Sequence, residues 1–171
     1  MSKIILITGS TDGIGLLTAK MLASQGHDVI LHGRSANKLY SAVSELGVGV
    51  SAYQADLSSL EETAALAKAV AAKHPHIDVL INNAGVYKTP DAILPNGRDV
   101  RFVVNALAPH VLTTGLLSLL PSDGRVINLS SAAQAPVDLT ALRGLRQLGD
   151  MEAYAQSKRA ITLWSAQMAL K

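Results

Sequence analysis

The sequence predicts an α/β protein, a doubly wound parallel sheet in three layers. Two observations carry that prediction. Short apolar runs alternate with helical patterns along the whole chain. The first run, Ile4-Ile5-Leu6-Ile7, is apolar throughout, as a parallel strand covered on both faces must be. At 171 residues, 49% apolar and 16% charged, residues 1–171 are expected to form one domain with a real core, and the composition argues against disorder.

The elements follow in order. Ile4–Thr8 reads as strand one, and Gly13 to about Gln25 as a helix that Gly26 closes. Asp28–His32 is strand two. Ala36–Leu46 is a helix stopped by Gly47. Val48–Ala55 alternates, which suggests a strand near a sheet edge. Ser58 with Glu61 reads as a capping box opening a helix to about Lys73. Val79–Asn82 is strand four, and 83–96 is a loop with Pro90, Pro95 and Asn96-Gly97. Arg98 to about Leu119 reads as a long apolar helix kinked by Pro109. Arg125–Leu129 is strand five, 131–150 is irregular, and Met151–Lys171 is the last helix. Right-handed crossovers and the reversal after strand three place a ligand crevice at the carboxyl ends of strands one and four.

Several function classes recede. A formal charge of +2 is too small to argue for nucleic acid or a membrane surface. The absence of cysteine removes disulfides, thiol chemistry and thiolate metal sites. His74-Pro75-His76 reads as a solvated loop pair, so no metal is expected. The N-terminal apolar run of four is too short for a signal core or a span, which suggests a soluble cytoplasmic protein. Asn128-Leu129-Ser130 matches a glycosylation sequon but falls in a predicted buried strand.

Strand one runs into Thr8-Gly9-Ser10-Thr11-Asp12-Gly13-Ile14-Gly15. Gly9 allows a tight exit from the strand, Gly13 lets backbone N–H groups approach a pyrophosphate, and Gly15 lets the helix pack closely. The helix N-terminus supplies dipole and free donors for anionic oxygens. No Gly-Lys-Ser/Thr follows, so this is not a P-loop. Strand two ends in His32-Gly33-Arg34-Ser35. An acid there binds the ribose 2′-OH of a dinucleotide, whereas an Arg accommodates a 2′-phosphate. Arg34 and Ser35 therefore favour NADP(H) over NAD(H), the alternative being a solvated arginine at a strand end. Asp56-Leu57 ends strand three, where Asp56 is placed to accept from an adenine amino group. Asn82-Asn83-Ala84-Gly85 ends strand four. Asn83 can tie two strands together, and Gly85 leaves room for adenosine and ribose. Each also reads as turn chemistry. Their common position at strand carboxyl ends is what binds them into one site.

Downstream, Tyr154 and Lys158 are i and i+4 on the last helix and share a face. A phenol is a poor acid near neutral pH, with a reference pKa of about 10. A nearby ammonium favours the phenolate, and the pair can then pass a proton to an alkoxide forming as hydride arrives. Alone, a Tyr and a Lys four apart are equally an ordinary amphipathic helix. Ser130-Ser131 ends strand five, where one hydroxyl can donate to a substrate oxygen or simply serve a turn. Asn105 lies within Val103-Val104-Asn105-Ala106-Leu107 and needs partners there, either a water linked to Lys158 or a neighbouring backbone.

Together these residues resemble the short-chain dehydrogenase/reductase family. The pieces are TGSTDGIG at 8–15, DL at 56–57, NNAG at 82–85, Asn105, SS at 130–131 and YAQSK at 154–158, in family order over nearly the whole chain. The resemblance implies an NAD(P)-binding Rossmann fold, a small carbonyl or alcohol substrate, and a Ser–Tyr–Lys set with a helical Asn. Ser131 matches the catalytic serine better than Ser130. Tyr154 matches the general acid/base, Lys158 the residue that lowers its pKa and holds the nicotinamide ribose, and Asn105 the proton relay. Asn96-Gly97-Arg98-Asp99, Phe102-Val103-Val104-Asn105 and Gln156-Ser157-Lys158 are similar to the retinol-dehydrogenase-like branch, with no implication of activity on retinol.

Two departures stand out. Asp12 replaces the basic residue that many NADP-preferring members carry, leaving Arg34 most of the discrimination. Members also continue several tens of residues past the Tyr/Lys helix, adding strands, a nicotinamide contact and a substrate lid. Strand five is then expected at a sheet edge. The apolar residues Leu107, Val111, Leu112, Leu116, Ile161, Leu163, Trp164 and Met168 fit the pairing of two long helices in a homodimer or homotetramer, or ordinary core packing. The competing reading of the whole is a nucleotide-binding protein without turnover, or a truncated relative with an incomplete substrate site.

Overall fold

The computed structural model describes residues 2–47 and 49–170. A five-stranded sheet runs in the order β3-β2-β1-β4-β5, every pair parallel. The strands are β1 Ile4–Ile7, β2 Asp28–Gly33, β3 Val50–Gln54, β4 Val79–Asn82 and β5 Arg125–Asn128. Around them lie α1 Gly13–Ser24, α2 Ala36–Leu46, α3 Leu60–Lys73, α4 Val100–Phe102, α5 Ala108–Leu116, α6 Leu139–Leu142 and α7 Asp150–Met168. The expected strand start at Val48 and helix end at Lys171 lie outside the described residues.

Alternation along the strands builds two cores. Leu6, Ile30 and Leu80 point to the face covered by α3 and α5, where they meet Leu66, Val70, Leu112 and Leu116. Ile5, Ile7, Val29, Leu31 and Ile81 point to the opposite face, against Ala19, Leu39 and Ala42 of α1 and α2. Both faces of β1 are thus covered, which is why it carries no polar residue. The central strand is paired in register on both sides, Ile7 opposite Leu31 and Ile81. The two sheet edges, β3 and β5, alternate in burial as half-covered strands do, and Ile127 of β5 is exposed.

The order of strands reverses between β3 and β4, so the crevice opens where β1 and β4 end, as expected. The helix caps differ in detail. Ser59, not Ser58, caps α3 by accepting from the Glu62 N–H. Glu62 then accepts from the Asp56 N–H instead of closing a box with its own cap. The next long helix starts at Val100 and not Arg98, because the Asp99 carboxylate accepts from the Arg101 N–H at 2.8 Å. Its break precedes Pro109. Proline has no N–H and its ring opposes the carbonyl four residues back, that of Asn105. The chain widens there into a π-turn over Val103–Leu107, with the Ala108 N–H bonded to Val103 O. A 3₁₀ turn at Leu117–Leu119 ends the segment.

The stretch Val100–Leu119 is long and apolar enough to cross a bilayer by composition, yet more than half of it is buried in the protein. Of the residues placed on a pairing face, Leu112, Leu116 and Ile161 belong to the core, and Leu163 is exposed. The region 131–150, expected to be irregular, contains α6, capped by Asp138.

Candidate active site

The turn after β1 is held by its own residues. Thr8 Oγ1 accepts from the N–H groups of Asn83 and Ala84 at 3.0 and 3.1 Å. Asn83 Nδ2 donates back to Thr8 O and Gly9 O at 2.9 and 3.0 Å. These bonds lock the ends of β1 and β4 together, the tie expected of Asn83. Gly9 turns at φ +64°, and a Cβ on it would stand 3.0 Å from Ala84 Cα. A Cβ on Gly15 would stand 2.2 Å from Gly9 O and 2.5 Å from Asn83 Nδ2. α1 therefore presses against the turn more closely than any side chain permits. Asp12 caps α1 through the Gly13 N–H. The following amides, at Ile14 and Gly15, are those a helix leaves without an internal partner.

Ser10 differs from its expected role at the ligand. Its side chain is fully buried, donates to Ile7 O at 2.9 Å and accepts from the His32 N–H at 2.9 Å. The hydroxyl is spent pinning the turn to β2.

His32 was not singled out by the sequence. It is buried; its Nδ1 accepts from the Gly9 N–H at 3.2 Å and its Nε2 faces Ala55 O at 3.1 Å. One neutral tautomer satisfies both bonds, and the ring joins the phosphate turn to β2 and β3. Burial, partly offset by the Ala55 carbonyl, pulls its pKa down to about 4. The unfolded chain takes up this proton below about pH 6.5, the folded protein only below about 4. Stability is therefore full above the higher value and falls with pH between the two. The slope is about 1.4 kcal/mol per pH unit, for a loss of about 3 kcal/mol. Urea unfolding at stepped pH is expected to show this decline, and His32→Gln to flatten it. A variant as pH-dependent as the parent would contradict the assignment.

The crevice is a cavity of about 930 Å³. Gly9, Thr11, Asp12, Ile14, Gly15, Arg34, Ser35, Asp56, Leu57, Asn83, Ala84 and Gly85 line it, so most expected cofactor residues share one space. Gly13 lies outside the lining, at φ +53° in the turn. Gly33 packs on Thr11, a Cβ there reaching within 2.6 Å of Thr11 Cγ2. Gln54 Nε2 donates to Arg34 O at 3.0 Å, fixing that turn while the arginine side chain stays exposed. Asp56 Oδ1 accepts from the Ser58 N–H, a turn bond beside its free oxygen. Lys38, Tyr87, Lys88 and Thr89 also line the crevice and were missed. Lys38 follows Arg34 by four residues, which was the available signal.

Tyr154, Lys158 and Ser131 do not line this cavity; α7 approaches its wall at Gly85 and Tyr87. Lys158 is 5% exposed, and its Nζ donates to Leu129 O at 2.7 Å. That Nζ lies 3.5 Å from where a Gly85 Cβ would be and 5.9 Å from the Tyr154 ring centroid. Burial pushes the Lys158 ammonium below the usual lysine range. Tyr154 is half-buried, its ring packed at 5.0 Å on Tyr87 of the crevice wall. The start of α7 is anchored by Arg101, which is 1% exposed. Its guanidinium forks onto Asp99 at 2.8 and 2.6 Å and reaches Asp150 at 2.5 Å. Asp150 is one turn before Tyr154, so this network fixes the helix end that carries the phenol.

The two serines separate by their partners. Ser130 Oγ bonds Lys158 O and Thr162 Oγ1 at 3.1 and 2.8 Å, tying the end of β5 to α7. Among the described residues Ser131 Oγ only accepts, from the Ala133 N–H at 3.1 Å, which leaves its proton to donate. Asn105 is wholly buried and bonded on every side. Oδ1 accepts from the Val86 N–H at 2.7 Å, and Nδ2 donates to Val86 O and Ser157 Oγ at 2.9 and 3.0 Å. The amide joins the crevice loop to α7. The sequon residue Asn128 is likewise engaged, accepting from Asn82 and donating to Ser165.

A family model described as short chain dehydrogenase matches residues 3–171. The chain belongs to the short chain dehydrogenase family. Within this family it is 35% identical to human retinol dehydrogenase 13 over 97% of its own length and 53% of that protein. It is 34% identical to human polyprenol dehydrogenase over 95% and 53%. The retinol-dehydrogenase-like branch expected from the sequence is thus borne out, and the chain spans about half the length of the curated relatives it matches. Among solved short-chain dehydrogenases, a metagenomic oxidoreductase in complex with NADP superposes with a TM-score of 0.79 at 30% identity, over 99% of this chain and 76% of that one. An Escherichia coli member complexed with NADPH gives 0.78 at 30%, over 98% and 70%. The Rossmann fold and the oxidoreductase family are therefore established for this chain.

Proposed function

We propose that the chain is an NADP(H)-dependent oxidoreductase acting on a small carbonyl or alcohol, with Tyr154 as general acid/base. The observation that carries this reading is the meeting of two motifs at Gly85. Gly85 lines the dinucleotide crevice, and Lys158 Nζ and the Asn105 amide stand beside it. The residues suit a dinucleotide: a turn too tight for side chains, first-turn amides at α1, and cations at the end of β2. Similar solved proteins hold NADP or NADPH.

When bound, the reduced nicotinamide supplies hydride to the carbonyl carbon. Tyr154 gives its phenolic proton to the oxygen as that oxygen becomes an alkoxide, and the alcohol results. In the oxidative direction the same phenolate accepts the proton. Lys158 stabilises the phenolate by its charge and holds the end of β5 through Leu129 O. Ser131 donates to the substrate oxygen and so steadies its developing charge. Asn105 acts by position, holding the loop after Gly85 against Ser157.

A fluorescence titration with NADPH and then NADH tests the binding half. NADPH is expected to bind more tightly, by about tenfold or more for a phosphate met by an arginine fork. A panel of ketones, aldehydes and alcohols, followed by the absorbance of the reduced nicotinamide, tests the reaction. Binding of neither cofactor would overturn the reading.

A further inference from the structure

We infer that Lys38 is a second determinant of NADP(H) preference and that Asp12 tunes it by competing for the Lys38 ammonium. This deepens the NADP(H) reading and rests on it. Lys38 stands in the first turn of α2, where its N–H donates to the Ser35 cap at 3.3 Å. Its backbone is therefore fixed to the same Arg34-Ser35 turn that the 2′-phosphate reading requires. Its side chain lines the crevice, and Nζ meets Asp12 Oδ2 at 2.9 Å. Asp12 caps α1 on the opposite lip. Both residues, with Arg34 and Ser35, line one cavity.

The charge logic follows from that placement. Asp12 puts a carboxylate where a phosphate-binding lip needs a cation, and the fold supplies the cation from α2 instead. The two side chains are 59% and 77% exposed. Such a pair is weak, so a phosphate dianion arriving between Arg34 and Lys38 can draw the ammonium away from Asp12. NAD(H) offers no 2′-phosphate and leaves the pair in place. The hydrogen bond from Lys38 also holds the Asp12 carboxyl below the usual carboxylate range, so Asp12 competes as an anion across the working pH range.

The test is the ratio of NADPH to NADH affinity in four proteins: wild type, Lys38→Gln, Asp12→Asn and the double variant. Lys38→Gln is expected to lower the ratio by about fivefold, a size typical of one exposed charge contact. Lys38→Arg is expected to restore it. Asp12→Asn keeps a cap and is expected to raise the ratio by about two- to fivefold. It should also weaken pyrophosphate repulsion for both cofactors alike, which the ratio removes. In the Lys38→Gln background, Asp12→Asn is expected to leave the ratio unmoved. A ratio untouched by Lys38→Gln, or an Asp12→Asn effect of equal size in both backgrounds, would overturn the inference while leaving the NADP(H) reading standing. A wild type that binds NADH as tightly as NADPH would overturn both.

Discussion

Tyr154→Phe is expected to lower kcat by roughly 10²- to 10⁴-fold, the usual worth of a general acid/base, and to leave NADPH affinity within about twofold. The prediction separates chemistry from architecture. The phenyl ring keeps the contact with Tyr87 at 5.0 Å, and α7 keeps its anchor through Arg101 and Asp150. Only the transferable proton is lost. Steady-state kinetics on the best substrate of the panel, beside a fluorescence titration of the same preparation, give both numbers. Turnover that survives the change would remove Tyr154 from the mechanism. Loss of NADPH binding together with turnover would instead mean that the phenol is part of the fold.

Gly15→Ala is expected to abolish NADPH binding and to destabilise the protein by about 1–3 kcal/mol, the typical cost of overpacking. Its methyl would fall 2.2 Å from a backbone oxygen and 2.5 Å from the Asn83 amide that locks β1 to β4. Neither atom is at the free end of a flexible chain, so α1 must move off the turn and carry its first-turn amides with it. Gly149→Ala, outside the crevice lining, is the control. Its methyl would meet nothing within 4 Å, so folding and binding are expected to persist. Chemical denaturation and NADPH titration of the pair check this. Equal effects of the two substitutions would mean that close helix packing at Gly15 is not what forms the cradle.

The sequence by itself determined the strand order and the place of the crevice. Apolar runs fix which segments are covered on both faces, and handed crossovers leave few ways to connect them. It also determined the glycine turn, the Asn83 tie and the Tyr154/Lys158 face, because each depends on neighbours close along the chain or on a residue's own shape. Ser10 and His32 were not legible in this way. Whether a polar side chain faces a ligand or the core depends on which backbone groups other segments bring beside it: Ser10 meets Ile7 O and the His32 N–H, and His32 meets the Gly9 N–H and Ala55 O. The start of the long helix at Val100 depended likewise on an Asp99 cap and an Arg101 fork that reaches α7. Lys38 came to the crevice only because α2 packs with its first turn across from α1. Local pattern sets the backbone path; long-range contact decides which side chains are consumed in holding it and which remain free for chemistry.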